Sequence, residues 1–206
     1  MLQMTTGSHV PNAASLHEGY ELDGNYIQAN VNADKIQGIL EAFMDRNADR
    51  PLFLFIEVPA NMNDETVTGM TEDGYAVTES KHKDIYYLDG RSAAWFKALL
   101  EPFWQLLIHD GLCQFGIGNN IGEEVGKYKY NIMQLWTRDE SAGKYAGLFE
   151  NAGIPRIQKL VTAWDTFSQD APGECELLTA ENGKNIYDLV ELLKEAGLYH
   201  AGQREE

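Results

Sequence analysis

The sequence predicts an α+β fold, in which a mainly antiparallel sheet carries about four helices packed mostly on one face. Three observations support this prediction. Residues 84–117 have the pattern of a strand, an amphipathic helix and a second strand, with large apolar residues at helical spacing. Predicted strand pairs alternate with single helices along the chain. No linker rich in glycine, serine or proline divides the sequence, which indicates a single domain.

Turn and capping residues predict the first elements. The Asp-Gly pair at 23–24 favours a tight turn between strands at 20–22 and 25–31. Asn32 is a suitable N-cap for a helix that ends near Arg46. The nearly apolar run 52–58 is typical of a central strand that is covered on both faces.

The remaining elements follow from periodicity, glycines and prolines. They are, in chain order, a polar hairpin or loop at 61–83, a strand at 84–89, a helix at 91–110, a strand at 112–117, a glycine-bearing connection at 118–126, strands at 128–136, 157–167 and 174–179, a short helix between 139 and 153, and a last helix from Asn185 to Gly197. Pro102 should kink the helix at 91–110 or start a second helix near Glu101. We expect residues 1–14 to be a flexible segment, 15–200 to form the single domain and 201–206 to be a tail.

Acidic residues dominate the charge of the chain. There are 32 Asp and Glu against 16 Lys and Arg, a net charge of −16 that is spread along the whole sequence. Such a surface repels phosphate backbones and anionic lipids, so we expect neither nucleic acid nor a membrane as a partner. It attracts a basic protein, although the same charge also serves solubility alone.

The two cysteines, Cys113 and Cys175, are fewer than a secreted disulfide scaffold of this size usually carries. No CxxC or His/Cys cluster indicates zinc, and we expect no cofactor. The first residues lack the pattern of a signal peptide, and no apolar run is long enough to span a membrane. The sequence therefore favours a cytoplasmic protein, in which a single disulfide is the less favoured alternative to two reduced thiols.

The glycine-rich stretch 116–122 resembles a dinucleotide-binding turn only superficially. Its spacing is GxGxxxG, and acidic residues follow where a helix should meet the phosphates. Four oxygen-bearing side chains in and after this stretch are candidate binding residues for a hard cation or a partner, although the spacing of a calcium loop is absent. They are Asn119, Asn120, Glu123 and Glu124.

Two further groups are candidates. Trp164 and Asp165 lie in the string TAWDTF, where an exposed aromatic residue beside an acid would suit a protein interface; core packing is the alternative for Trp164. His109 and Cys113 have the residue types of a nucleophilic pair, but capping of the helix by His109 is the simpler explanation.

These patterns support two hypotheses about function. The first is a non-enzymatic protein-binding module for a basic partner, such as an inhibitor or a toxin-immunity protein. The second is an enzyme or small-ligand-binding protein whose site is assembled from dispersed residues. A third, less specific possibility is a subunit of a larger assembly, which would show a broad apolar patch. The sequence leaves the oligomeric state open.

Overall fold

The computed structural model describes residues 1–60, 67–70, 76–78, 82–139 and 141–205, and for 67–70 and 76–78 the description is of the backbone. The strands are β1 (Ser8–His9), β2 (Gly19–Asp23), β3 (Tyr26–Asn30), β4 (Leu52–Pro59), β5 (Val67–Met70), β6 (Ala76–Thr78), β7 (His82–Arg91), β8 (Gln114–Asn119), β9 (Glu123–Lys127), β10 (Ile132–Thr137), β11 (Glu174–Cys175) and β12 (Tyr199–Glu205). The helices are α1 (Ala33–Arg46), α2 (Ala93–Leu100), α3 (Trp104–His109), α4 (Ala146–Asn151) and α5 (Ile186–Glu195).

Eight strands form one sheet in the order β12-β7-β4-β8-β9-β10-β3-β2, and every neighbouring pair is antiparallel. The pairs β1-β11 and β5-β6 form separate two-stranded sheets. The α+β prediction with a mainly antiparallel sheet is therefore confirmed. No described helix is long and apolar enough to cross a membrane.

The five described helices all cover one face of the large sheet. Alternate residues of each strand point to that face, because successive side chains of a strand lie on opposite sides. In β4 these residues are Leu52, Leu54, Ile56 and Val58, and each of them is buried in the main core. They pack in the same cluster as residues from every helix, so the prediction that the helices lie mostly on one face is confirmed.

The middle helix is interrupted as Pro102 predicts. Ser92 begins α2, and its hydroxyl accepts a hydrogen bond from the backbone N–H of Trp95 at 3.3 Å. A 3₁₀ turn at Glu101–Phe103 then separates α2 from α3. The proline ring cannot accept a regular preceding turn, so the helix changes course there and both pieces keep an apolar side against the sheet.

Three predictions made from the sequence are wrong. The stretch 118–126, predicted as a connection, contains the central strand β9, whose acidic sequence EEVGK has low strand propensity. The stretch 157–167, predicted as a strand, instead contains a 3₁₀ turn at Ala163–Thr166. Side chains of Thr162 and Asp165 cap this turn, which satisfies backbone groups that a strand would pair. The tail predicted to begin at residue 201 belongs to the edge strand β12.

Residues 1–14, which we expected to be loose, have fixed partners in the structure. The Gly7 N–H donates to the His109 carbonyl at 2.8 Å, and the Gly7 carbonyl accepts from the Glu176 N–H at 2.8 Å. The Thr5 N–H donates to the side-chain oxygen of the buried Asn131 at 2.8 Å. These contacts join the amino-terminal segment to the end of α3 and to β11, while its mobility in solution stays a prediction.

We expect Gly111→Ala to displace this segment, because a Cβ on Gly111 would lie 1.8 Å from the Gly7 carbonyl oxygen. The free energy of unfolding should fall by about 2 kcal/mol. Amide hydrogen exchange measured by mass spectrometry should become faster in residues 1–10. Gly147→Ala is a matched control, since nothing lies within 4 Å of its Cβ position. Unchanged exchange in the Gly111 variant would contradict this packing.

Candidate functional site

The face of the large sheet opposite the helices carries the most distinctive group of side chains. We call it the helix-free face, because no described helix packs on it. Directly paired residues of an antiparallel sheet point to the same side, so the strand register assigns the residues of this face. Its central members are Tyr26, Phe53, Phe55, Glu57, Tyr87, Gly116, Gly118, Glu124, Gly126 and Trp136.

One row of this face runs across five strands from β4 to β3. Phe53 lies opposite Gly118, Gly118 opposite Glu124, Glu124 opposite Trp136, and Trp136 opposite Tyr26. Neighbouring strands lie about 4.8 Å apart, which places the Cα atoms of Glu124 and Tyr26 about 10 Å apart. The side chain of Glu124 therefore lies in a row of aromatic residues, with Trp136 between it and Tyr26.

Glycines let aromatic rings lie close to the sheet on this face. A Cβ on Gly118 would lie 2.1 Å from Cζ of Phe53, and one on Gly126 would lie 2.8 Å from Cζ of Phe55. The Tyr128 ring also covers Gly126, at 3.1 Å from the same Cβ position. The rings of Phe53, Phe55 and Tyr128 thus lie close to the strands. They give the neighbouring carboxylates of Glu57 and Glu124 a partly apolar environment.

Glu57 is the one carboxylate in β4, and it lies on the helix-free face. It is 6% exposed, and its Oε2 accepts a hydrogen bond from Nη2 of Arg204 in β12 at 2.5 Å. Burial raises the pKa of Glu57, while the charges of Arg204 and Lys83 and the hydrogen bond from Arg204 oppose that shift. The edge strand that the sequence analysis missed therefore supplies the cation for this carboxylate.

Glu124 has no such compensation. It is half-buried, and its carboxylate has neither a hydrogen bond nor an ion pair with any residue that the structure describes. Burial raises its pKa, and the negative charge of Glu57 raises that pKa further. An ionised carboxylate that is partly removed from water is stabilised by a cation or by several donors nearby. The lack of either at Glu124 is what makes this position a candidate site.

Three tyrosines lie near this carboxylate or in its row. The charge of Glu124 acts on Tyr87 and Tyr128, and Tyr26 lies two strands away in the same row. Burial raises the pKa of Tyr26 to about 12, and it raises the pKa of Tyr128 as well, with the charges of Glu124 and Glu57 adding to the shift. Burial and the charge of Glu124 likewise raise the pKa of Tyr87. No hydroxyl of these three tyrosines has a hydrogen-bond partner among the described residues. The site thus offers polar groups that the protein itself leaves unused.

The structure separates the four candidate residues near the glycine-rich stretch. Asn119 and Glu123 lie on the helix side of the sheet, where Nδ2 of Asn119 donates to Glu123 at 2.8 Å and to Asn47 at 2.9 Å. Asn120 is exposed at the hairpin turn, and Glu124 faces the opposite side. The residues thus do not converge on one ion, and no described group of three or more His, Cys, Asp or Glu side chains is arranged to hold a metal.

Trp164 and Asp165 lie in the 3₁₀ turn at Ala163–Thr166 rather than in a strand. Trp164 is 55% exposed and packs edge-on against Tyr130 and Phe167 at centroid distances of 4.9 and 5.5 Å. The carboxylate of Asp165 accepts two hydrogen bonds from Thr162, one from the backbone N–H and one from the hydroxyl. These two bonds lower the pKa of Asp165. These hydrogen bonds give Asp165 a structural role, and the binding roles of Trp164 and Asp165 stay predictions.

No disulfide bond joins Cys113 and Cys175. Cys113 is completely buried, and burial raises its pKa, which disfavours the nucleophilic thiolate. Nδ1 of His109 instead contacts Thr6, whose N–H lies 3.2 Å away and whose hydroxyl lies 2.9 Å away. The geometry thus gives His109 and Cys113 separate environments, and nothing indicates a nucleophilic pair.

No protein family, curated protein or solved structure matches this chain. The candidate site therefore rests on the residues of this chain alone. Sequence reasoning included Glu124 but missed Tyr26, Tyr87 and Tyr128. The available signal was the spacing of two residues between Gly116 and Gly118 and between Glu124 and Gly126, because residues two apart in a strand share a face.

We expect Glu124→Gln to stabilise the protein at pH 7. A raised pKa means that the folded state binds more protons than the unfolded state between the ordinary and the raised value, so stability falls as the pH rises through that window. Removing the charge should raise the free energy of unfolding by up to about 1 kcal/mol and flatten this pH dependence. Urea denaturation at several pH values measures both effects.

Asp170→Asn is the matched control for this substitution. It also removes one negative charge, and Asp170 is exposed and far from any strand of the large sheet in sequence. Its stability and pH dependence should stay within about 0.5 kcal/mol of the wild type. A Glu124→Gln protein that is less stable than the control would mean that the carboxylate has a stabilising partner.

Proposed function

We propose that this protein is a binding module that takes a basic protein partner on its helix-free face. The observation that carries the proposal is the half-buried carboxylate of Glu124, which no described residue pairs and which aromatic side chains surround. An incoming cation would give this carboxylate the partner that the chain does not supply. The net charge of −16 would attract a basic partner and accelerate its approach.

The composition of the face supports an interface. Tyrosine and tryptophan are enriched at the energetically important positions of protein interfaces, and Trp136, which lies directly opposite Glu124 in the row described above, is 38% exposed. Exposed Asp23 and partly exposed Glu21 lie at the β2 end of the same face and add negative potential there. Inhibitors and toxin-immunity proteins for basic targets are members of the class that we propose.

Defined peptides test this proposal directly. A labelled peptide with three arginines alternating with glycines should bind the protein, and its counterpart with three glutamates should not. The affinity for the basic peptide should fall as the salt concentration rises, since screening weakens exposed charge pairs. Glu124→Gln should weaken binding about tenfold or more, whereas Asp170→Asn, with the same net charge, should behave like the wild type within about twofold. Salt-independent binding, or equal loss in both variants, would refute the proposal.

A second candidate function is a small-ligand-binding protein or an enzyme with a dispersed site on the same face. The observation that favours it is the pair of carboxyl groups, Glu57 and Glu124, whose pKa values are both raised by burial. Carboxyl groups with raised pKa values are typical general acids. A small molecule whose binding requires both carboxyl groups, found by thermal-shift screening with Glu57→Gln and Glu124→Gln as controls, would support this alternative.

A further inference from the structure

The hydrogen-bond acceptors around Glu124 indicate which chemical group of a partner would bind at this site. We infer that this site takes the guanidinium group of an arginine side chain from the partner. This inference rests on the proposed function, and it adds the identity of the group that enters the site and the residues that contact it. The argument has three steps, which concern the charge, the shape and the donors of the ligand.

The first step is the charge. The site holds two carboxylates. Arg204 is hydrogen-bonded to Glu57, and the charges of Arg204 and Lys83 both act on Glu57. Among the described residues, Glu57 is the one charged group that shifts the pKa of Glu124, so Glu124 has a negative neighbour and no described positive one. A neutral ligand would leave this imbalance in place, whereas one positive charge would remove it. The ligand group is therefore a monocation.

The second step is the shape. Glu124 is flanked along its row by Trp136, and Tyr26 follows on the next strand. The Tyr128 ring folds over Gly126, two residues along β9 from Glu124. Planar guanidinium groups stack on aromatic rings and are weakly hydrated, whereas an ammonium is compact and strongly hydrated. A planar guanidinium thus suits a carboxylate beside aromatic rings better than a compact ammonium does.

The third step is the donors. A guanidinium presents five N–H groups in a plane, and an ammonium presents three. Glu124 supplies two acceptor oxygens, and the hydroxyls of Tyr87 and Tyr128, whose pKa values the charge of Glu124 raises, supply one each without a partner among the described residues. A metal ion would need more anionic ligands than one free carboxylate, and no described cluster of ligating side chains provides them. The acceptors match a group with many donors.

Three small probes separate these properties. They are N-acetyl-arginine amide, N-acetyl-lysine amide and N-acetyl-citrulline amide, the last being a neutral analogue of arginine with nearly the same shape. Binding of each to the full chain is measured by titration of amide chemical shifts. The arginine probe should bind at least fivefold more tightly than the lysine probe, and the citrulline probe should bind at least twentyfold more weakly.

Variants then assign the residues. Glu124→Gln should weaken binding of the arginine probe tenfold or more, and Tyr128→Phe, which removes one hydroxyl and keeps the ring, should weaken it about threefold. Asp170→Asn should leave it unchanged. Circular dichroism spectra and melting temperatures establish that each variant is folded, so a loss of binding in a folded variant reports the contact itself.

The outcomes distinguish this inference from the proposed function. Equal binding of the arginine and lysine probes, or tight binding of the citrulline probe, would overturn the inference even where the basic peptide still binds. Binding of the arginine peptide that Glu124→Gln does not weaken would overturn it as well and would move the site elsewhere. If neither the peptide nor the arginine probe binds, both proposals fail together.

Discussion

Asp110→Ala is expected to destabilise the fold by about 3–5 kcal/mol, the largest effect of any single substitution considered for this protein. Asp110 is completely buried at the end of α3. Its Oδ1 accepts hydrogen bonds from the backbone N–H groups of Leu112 and Cys113 at 2.9 and 2.8 Å, and its Oδ2 accepts from Leu178 at 2.9 Å. Alanine would leave all three donors without their acceptor.

The same carboxylate lies near a second buried charge. Lys127 is completely buried, and its Nζ donates to the carbonyl oxygens of Asp110 and Cys113 at 2.8 and 3.0 Å. Burial lowers the pKa of Lys127, and the negative charge of Asp110 opposes that shift. Without Asp110 the buried ammonium would lose a compensating charge, so the cost exceeds that of three hydrogen bonds alone.

Urea denaturation measures this loss. If the slope of the unfolding free energy against urea concentration is the same in the variant and the wild type, the difference in free energy reports stability and not the compactness of the denatured state. Asp110→Asn is the control, because its amide oxygen keeps one acceptor. Its loss in the free energy of unfolding should be about half of that in Asp110→Ala. A loss below about 1 kcal/mol in Asp110→Ala would show that the three backbone donors have other partners in solution.

Glu123→Ala should give the second-largest loss, about 2–4 kcal/mol. Glu123 is 4% exposed, and its Oε2 accepts hydrogen bonds from the Tyr145 hydroxyl at 2.5 Å and from Asn119 at 2.8 Å. Lys144 donates to its other oxygen. These contacts join the β8-β9 hairpin to the 3₁₀ turn at Ala142–Tyr145 and to Asn47 at the end of α1, so removing the carboxylate loosens three elements together.

This network also predicts a pH dependence. Burial alone would raise the pKa of Glu123, but hydrogen bonds from Lys144, Tyr145 and Asn119 outweigh it and the pKa is lowered. The unfolded state therefore binds the proton more readily, and the stabilisation is present above the ordinary glutamate pKa and lost as the pH falls through the lowered value. In Glu123→Gln the loss of stability as the pH falls should be smaller than in the wild type. Equal acid profiles would contradict the network.

Lys144→Met tests how the network divides its stabilisation. The Lys144 side chain is 40% exposed, so water screens its ion pair with Glu123. Its removal should cost less than about 1 kcal/mol, well below the loss in Glu123→Ala. The difference between the two variants then measures the buried hydrogen bonds from Tyr145 and Asn119.

Local signals were sufficient for the elements with strong periodicity or clear caps. The helices at Ala33–Arg46 and Ile186–Glu195 were predicted to within one or two residues, since each has one apolar face and an asparagine at its N-cap position. At the second, Asn185 does accept hydrogen bonds from the backbone of Tyr187 and Asp188. The strands β9 and β12 were missed because pairing with neighbours, rather than their own composition, makes them strands.

The candidate site was less accessible to sequence reasoning. Glu124 was chosen for its proximity to Asn119 and Glu123 in sequence, yet a strand turns consecutive side chains to opposite faces. Its true neighbours, Trp136 and Tyr26, come from strands whose order in the sheet no local pattern specifies. Long-range register therefore decides which polar groups meet, and it also leaves Glu124 without a cation.

The indole N–H signals of the four tryptophans provide the most direct measurement of where a basic ligand binds. Trp136 lies beside Glu124 on the helix-free face, whereas Trp164 lies in the 3₁₀ turn and packs on Tyr130. Titration of ¹⁵N-labelled protein with the arginine peptide should shift the Trp136 signal and leave the Trp164 signal in place. A shift of Trp164 with Trp136 unmoved would contradict binding on the helix-free face.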